Sequence, residues 1–568
     1  MVIKIENKKV KIRRYAILNL TLLLAIIVFL NVISGFWFAR FDLTSDKRFT
    51  LSKESKQLVA NLKDVVFVKV YLEGDFAPGF MRLRNSTQEM LDELRAYSKG
   101  KLEYEFIDPS ANPDEKERNK LYAQLYQKGI QPSTLEERTK EGLNRKYIWP
   151  GALVSYSNQE MGVQLLKDQL GAPPEVMLNN SIQNIEYELC NAIRKVTNPL
   201  RPLVGFVFGH GELNELQTAD ILKTLQASYD VKRVRIDSTL TILRDFKAIV
   251  IAKPDSAFNN KDKFIIDQFI MNGGKVIWLL DPMSVTMDSI SSSGNTMALA
   301  RDLNLDDMLF RYGARLNYDL IQDLSCSMIP VVTGFIGNQP KQELKPWYFY
   351  PVFTPMSTHP IVNNLNSIKG QFVSSIDLIG ANDVKSTVLL SSSRYSKLST
   401  APARVSLGVM EFKPGPKMFP LRDIPMAVLL EGKFTSAFKN RIASKEITNN
   451  KDIGFKENSV QNQMIIISDG DIIANDTAKG NSMPLGYDRF TRNTFGNKSF
   501  IQNCIDFLCD DSNLMQVRNK VFKLRLIDPN VMEKDNQVLK MINAGVPVLL
   551  IVFFGVVKTY TRRKKYNR

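Results

Sequence analysis

The chain has 568 residues, 44% of them hydrophobic and 24% charged, with a mean hydropathy of −0.16. That balance excludes a mostly disordered chain and a polytopic membrane protein, and the length allows roughly three to five domains. Two histidines and four cysteines without a CxxC spacing exclude a multi-histidine metal site, a zinc knuckle and dithiol redox chemistry. The formal net charge of +16 first suggests a nucleic-acid binder, but residues 1–14 carry +5 and residues 558–568 carry +6. The long stretch between the tails therefore lacks the basic footprint that nucleic acid requires.

In chain order, residues 15–38 form an uncharged apolar run. A bilayer core needs about 20 apolar residues in a helix, so this run can span. It is longer than a signal-peptide core of about 7–15 residues and no A-x-A-like cleavage site follows, which predicts an uncleaved anchor. Tyr15 and Trp37 sit near its ends, where interfacial aromatics belong. A polar, turn-rich stretch follows at 40–52, and Ser52 is placed to cap a helix over 53–62. A strand at 65–74, a helix at 87–98, a strand at 101–108 and a helix at 113–128 predict a small α/β lobe, closed by a hairpin of 149–156 and 161–166. A thioredoxin-like outline is compatible with this order, but residues 65–166 hold no cysteine and so no redox chemistry.

A long amphipathic helix at 180–196 leads to Pro199. The pattern then changes. Apolar strands at 203–212, 231–236, 248–253 and 274–282 alternate with helices at 213–228 and 260–271, as in a parallel sheet covered on both faces. A helix over 299–312 would end at Gly313. Strand-like segments at 346–351, 372–379, 386–393, 405–412 and 426–434 predict a β-rich insertion, and 439–460 reads as a loop. A strand at 462–471 and a helix at 497–509 return to the parallel sheet. The last apolar run, 544–557, reaches about 20 residues when extended back to 538. Lys540 would then snorkel to the interface, and Pro547 is tolerable in a membrane helix.

The expected plan is an α/β protein with two transmembrane helices, 15–38 and 538–557, flanking a large periplasmic body. Residues 1–14 and 558–568 are its basic cytoplasmic tails, because lysine and arginine stay on the cytoplasmic side. The body comprises an N-terminal lobe (39–198), a doubly wound sheet (199–320 and 461–537) and the β-rich insertion (321–460). Ligands of such sheets sit beyond the carboxyl ends of the strands. The polar groups falling there are His210, Glu212, Lys253, Asp255, Asp281, Asp469 and Asp471, which makes His210, Glu212, Asp255, Asp281, Asp469 and Asp471 the candidate ligand-binding residues. Turn chemistry alone also places glycine, aspartate and proline at strand ends. In Gly209-His210-Gly211-Glu212 a histidine held on a glycine turn beside a carboxylate has the makings of an acid–base group. No GxSxG elbow, P-loop or GxGxxG accompanies it, so no catalytic residue, metal or cofactor is assigned. Asp469 and Asp471 suit a hard cation or a plain turn. Cys504 and Cys509 fall about 140° apart on one helix and read as small buried apolar residues.

Together with GHGE (209–212), the segments FDLTSDKRFTLS (41–52), HPIV (359–362), EGKFTSAF (431–438), ISDGD (467–471) and GNKSFIQNCIDFL (496–508), in this order between two apolar runs, carry a family likeness. The chain resembles the GldG-type auxiliary proteins of gliding-motility ABC transporters, over essentially its whole length. The resemblance implies a periplasmic GIFT-type domain, distantly similar to glutamine-amidotransferase-like folds. It also implies a polytopic ABC permease and a cytoplasmic ATPase as partners, with a further envelope partner outside and no nucleic acid. The implied role is a non-enzymatic subunit serving gliding and surface protein export. A periplasmic ligand receptor and an amidotransferase- or hydrolase-like envelope enzyme are the alternatives. The amidotransferase chemistry itself needs a cysteine on an elbow, which this chain lacks.

Overall fold

The computed structural model describes residues 15, 17–29, 50–519 and 529–566, except 75, 140–141, 199–200, 237–238, 240, 338, 382, 412–413 and 442–454. The predicted basic tail 1–14, the second part of the first apolar run and most of the turn-rich stretch 40–52 lie outside the described residues. The chain forms two units, residues 1–520 and 521–568.

The first lobe is a four-stranded sheet in the order Leu102–Phe106, Val66–Val70, Gly151–Tyr156, Gln159–Gln164. The first two strands are parallel and the others antiparallel. Ser52 caps the helix Lys53–Ala60 as expected, its hydroxyl accepting from the Ser55 N–H at 3.1 Å. The next helix, Pro78–Tyr97, starts earlier than the apolar periodicity indicated, because Pro78 suits a first helical position where its missing N–H is not needed. A second hairpin, Ser133–Thr139 with Gly142–Ile148, was not foreseen. Its strands, STLEERT and GLNRKYI, are too charged to show the alternation that marks a half-buried strand.

The central sheet has seven strands in the order Val384–Ser391, Pro425–Gly432, Asn462–Ile467, Lys275–Leu279, Ala248–Ala252, Leu203–Phe208, Asp230–Arg235. The last five are mutually parallel, and Pro425–Gly432 runs antiparallel to Asn462–Ile467. By chain position the parallel strands follow the flavodoxin-like order 2-1-3-4-5. Successive side chains feed opposite faces. Val250, Ile277, Ile465 and Leu429 join one core with Cys504 and Ile505 of the helix Asn497–Cys509. Ile249, Ile251, Trp278, Ile466 and Val428 join the other, with Ile266 and Met271 of the helix Asn260–Met271. Burial on both faces is why these strands read as unbroken apolar runs.

Two expectations need correction. The stretch 321–460, expected as a β-rich insertion, contributes two strands, Val384–Ser391 and Pro425–Gly432, to the central sheet. The helix expected over 299–312 is instead a strand, Asn295–Ala300, followed by the helix Asp306–Tyr312. Asn295–Ala300 pairs with Ala403–Ser406, a partner more than a hundred residues away, and Asn304 at φ +55° breaks the path between strand and helix. A separate core of Trp347, Phe349, Phe372 and Val405 lies under these strands.

In the second unit a single helix, Pro529–Tyr566, contains the apolar stretch Lys540–Lys564, with a mean hydropathy of 2.1. Among the described residues it is the one helix long and apolar enough to cross a membrane; the described N-terminal apolar helix, Ile17–Phe29, is shorter.

Candidate functional site at the carboxyl edge of the central sheet

The strands Leu203–Phe208 and Ala248–Ala252 are neighbours, and the sheet continues from them in opposite directions. This is the switch point at which a doubly wound sheet opens a crevice. Because the five strands are parallel, the predicted strand-end groups all fall on this edge. They form two clusters.

The first cluster surrounds His210. Gly209 and Gly211 take φ of +128° and +76°, in the left-handed region that favours glycine. A Cβ on Gly211 would overlap the Asp255 carboxylate, so the two strand ends close on one another through this glycine. The His210 carbonyl accepts from the Asp255 and Ser256 N–H groups at 2.9 and 3.0 Å. Glu212 turns back, and its Oε2 accepts from the His210 N–H at 2.7 Å. The imidazole Nε2 lies 2.9 Å from Asp262 Oδ2, and Nδ1 faces Glu212 Oε1 at 3.3 Å without hydrogen-bond alignment. The ring stacks on Phe258 with centroids 3.8 Å apart. Burial alone would lower the pKa of this imidazole, but the close Glu212 carboxylate and the hydrogen-bonded Asp262 carboxylate outweigh it and the net shift is upward.

The second cluster surrounds Lys253, itself at φ +55°. Its Nζ is 2.5 Å from Asp471 Oδ1 and 3.4 Å from Asp281 Oδ2. Burial disfavours the ammonium, yet Asp471 and Asp281 raise its pKa. Asp281 accepts from the Gly470 N–H, and Asp469 accepts from the Gln371 and Asp471 N–H groups at 2.9 and 2.8 Å. Burial raises the carboxyls of both Asp281 and Asp469. Gly470 lies against Lys253 so closely that a Cβ there would overlap the lysine side chain.

Thus His210, Glu212 and Asp255 come together, as do Lys253, Asp281, Asp469 and Asp471. Asp255 keeps its carboxylate at the exposed surface, where it accepts from the Ser256 hydroxyl at 2.7 Å. Asp262 and Phe258 were missed. Asn259 caps the helix Asn260–Met271, accepting from the Lys261 and Asp262 N–H groups at 2.9 Å. The helix at 260–271 was legible in the sequence; the contact of Asp262 with a histidine 52 positions earlier was not. The other histidine, His359, packs edge-on against Phe507, and burial pushes its pKa down to about 4. Among the described residues no group of three His, Cys, Asp or Glu side chains is placed to hold a metal ion. The first cluster ties a strand end to a helix through an imidazole set between two carboxylates. Among the described residues neither a hydroxyl nor a thiol is a hydrogen-bond partner of that imidazole.

Against known proteins, residues 45–155 match a family described as a domain of unknown function. An uncharacterized protein of Borreliella burgdorferi is 22% identical, over 97% of this chain and 99% of its own length. Among solved structures, the mmIFT52 N-terminal domain is matched over 98% of its length and 54% of this chain, at 12% identity and a TM-score of 0.31. Residues 201–504, which hold the central sheet and its carboxyl edge, match the family described as an ABC-type uncharacterized transport system. That match spans more than half of the chain, and the protein belongs to this family of ABC transport auxiliary proteins.

Proposed function

We propose that the protein is a non-enzymatic, membrane-anchored subunit of an ABC transporter complex, with its body in the periplasm and both termini in the cytoplasm. It couples a polytopic permease, driven by a cytoplasmic ATPase, to partners in the envelope, in gliding motility and surface protein export. The observation that carries this reading is the apolar helix Lys540–Lys564 in a chain of a transport-system family. The stop after it is basic, with Arg562, Arg563, Lys564 and Lys565, which favours a cytoplasmic end. The body's first helix, Lys53–Ala60, packs on its last segment, Leu514–Asn519, so the chain enters and leaves the body at one place. Two flanking anchors in one bilayer call for that arrangement. The polar strand ends are closed among themselves by ion pairs, which suits a structural role for His210 better than an acid–base one.

Affinity purification of the full chain from its native membrane, in mild detergent, tests the proposal. A polytopic permease and an ATPase should co-purify, and should be lost when residues 538–568 are removed. Recovery of the chain alone from intact membranes would refute it.

A further inference from the structure

The N-terminal lobe and the central body meet along the helix Pro174–Thr197, and a cleft of about 540 Å³ lies between them. One side is the strand Gln159–Gln164, which is the edge of the four-stranded sheet. The other side comes from the helices Ala219–Gln226 and Asn497–Cys509.

The register shows what this edge offers. Tyr156 pairs with Gln159 across a two-residue turn, and Gly151 pairs with Gln164, while the Leu165 N–H donates to the Pro150 carbonyl at 2.8 Å. Antiparallel ladders alternate, so the main-chain groups of Glu160 and Gly162 turn away from the neighbouring strand, toward the cleft. Among the described residues these outward groups make no hydrogen bond. Gly162 must stay a glycine, because a Cβ there would overlap the Lys128 carbonyl.

The rest of the lining is rich in amides, including Gln127, Gln131, Asn184, Asn191, Gln502 and Asn503. Asn184 is 3% exposed and its Oδ1 has no hydrogen-bond partner. Four lining cations are neutralised by lining carboxylates: Lys128 by Glu160 at 3.3 Å, Lys167 by Glu188 at 3.2 Å, Lys195 by Asp506 at 3.0 Å and Lys498 by Asp220 at 2.6 Å. Lys223 and Arg518 are left as cations without an acidic partner among the described residues. The one lining aromatic, Tyr187, is 4% exposed and covered by the Arg518 guanidinium at 5.2 Å, so the cleft presents no ring on which a sugar would stack.

We propose that this cleft binds an extended acidic segment of a partner protein, which adds as a fifth strand along Gln159–Gln164. The main chain of the segment pairs with the outward N–H and C=O groups of Glu160 and Gly162. The amides of the far side take its other polar groups, and Lys223 takes a carboxylate. Strand addition gives affinity through the main chain, while the charges set sequence preference. This deepens the reading of the protein as a coupling subunit by naming the chemistry of a partner. The two fail separately: a chain that recovers its permease but binds no peptide sinks only the cleft.

The test pans a displayed library of random dodecapeptides on the full chain in detergent micelles. Acidic, proline-poor clones should be enriched, and a carbonyl-labelled clone should gain a β-strand infrared band on binding. Glu160→Pro removes an outward donor while leaving the inner ladder intact, as edge strands tolerate; it should abolish binding, whereas Glu160→Gln should retain it. Lys223→Glu should weaken binding about tenfold, with a shallower salt dependence. If Glu160→Pro fails to fold, Lys223→Glu and the infrared band decide. No enrichment of acidic clones, equal binding by a folded Glu160→Pro chain, or displacement of the peptides by a chitooligosaccharide would overturn the proposal.

Discussion

His210 sits between Glu212 and Asp262, and its raised pKa ties its stabilising effect to pH. A group whose folded pKa lies above its unfolded value contributes fully below the unfolded value and loses that contribution as pH rises through the folded one. His210→Ala leaves two carboxylates facing each other without the cation and should destabilise the body by about 3–5 kcal/mol if the site behaves as a buried ion pair. The gap in melting temperature between wild type and His210→Ala should be widest near pH 6, around the unfolded value of about 6.5, and shrink at higher pH. A gap that widens with pH would mean the ring is neutral. Gly211 makes a second residue-scale prediction. Gly211→Val demands a positive φ from a β-branched residue and drives a side chain into Asp255, so the variant should fail to accumulate as folded protein. On the proposed function, His210→Ala should stay folded and assembled with its transporter partners, and a folded, assembled, but non-motile His210→Ala strain would promote the enzyme or ligand-receptor alternative.

Among the elements, the helix Pro174–Thr197 does the joining. Its Lys195 donates to Asp506 of the helix Asn497–Cys509 at 3.0 Å, and the Tyr229 hydroxyl donates to the same carboxylate at 2.6 Å. Burial alone would raise the Asp506 pKa; Lys195 and the Tyr229 hydroxyl outweigh it and hold the carboxyl below its ordinary value. Its contribution is therefore present above about pH 3.9 and lost as pH falls through the lower folded value. Asp506→Asn should cost about 3–5 kcal/mol in denaturant melts, because it strands a buried ammonium. Lys195→Met combined with Asp506→Leu should recover most of that loss. A double variant no better than the single one would show that the charges themselves, rather than their mutual neutralisation, hold the helices. Elements also differ in how legible they were. The helices at 260–271 and 497–509 carry their own periodicity, whereas 295–312 does not reveal that its first half pairs with Ala403–Ser406.

For the whole molecule, the proposed topology is what a reporter can test. The basic tails predict cytoplasmic termini, and a cytoplasm-only reporter fused after residue 568 should be active, as should one fused before residue 1. A silent C-terminal reporter would return Lys540–Lys564 to the body as a soluble helix. None of the four cysteines is in a disulfide; three are buried and Cys326 is partly so. Replacing all four with alanine or serine should leave a folded body. A loss comparable to the about 2–5 kcal/mol of a missing crosslink would reveal a bridge.

The sequence by itself determined the features that depend on neighbours in the chain. Apolar runs mark strands buried on both faces, glycines mark the turn around His210, and Ser52 marks a helix start. Each follows from local sterics, capping or hydropathy. Only the tertiary structure decided what depends on distant pairing. Asp262 reaches His210, Lys253 draws Asp281 and Asp471 together, and two strands from a supposed insertion complete the central sheet. Such contacts are selected by the burial of whole faces and the neutralisation of buried charge, and no short window of sequence carries that information. For the same reason the edge strand Gln159–Gln164 looked like half of a plain hairpin until the fold set it beside the cleft.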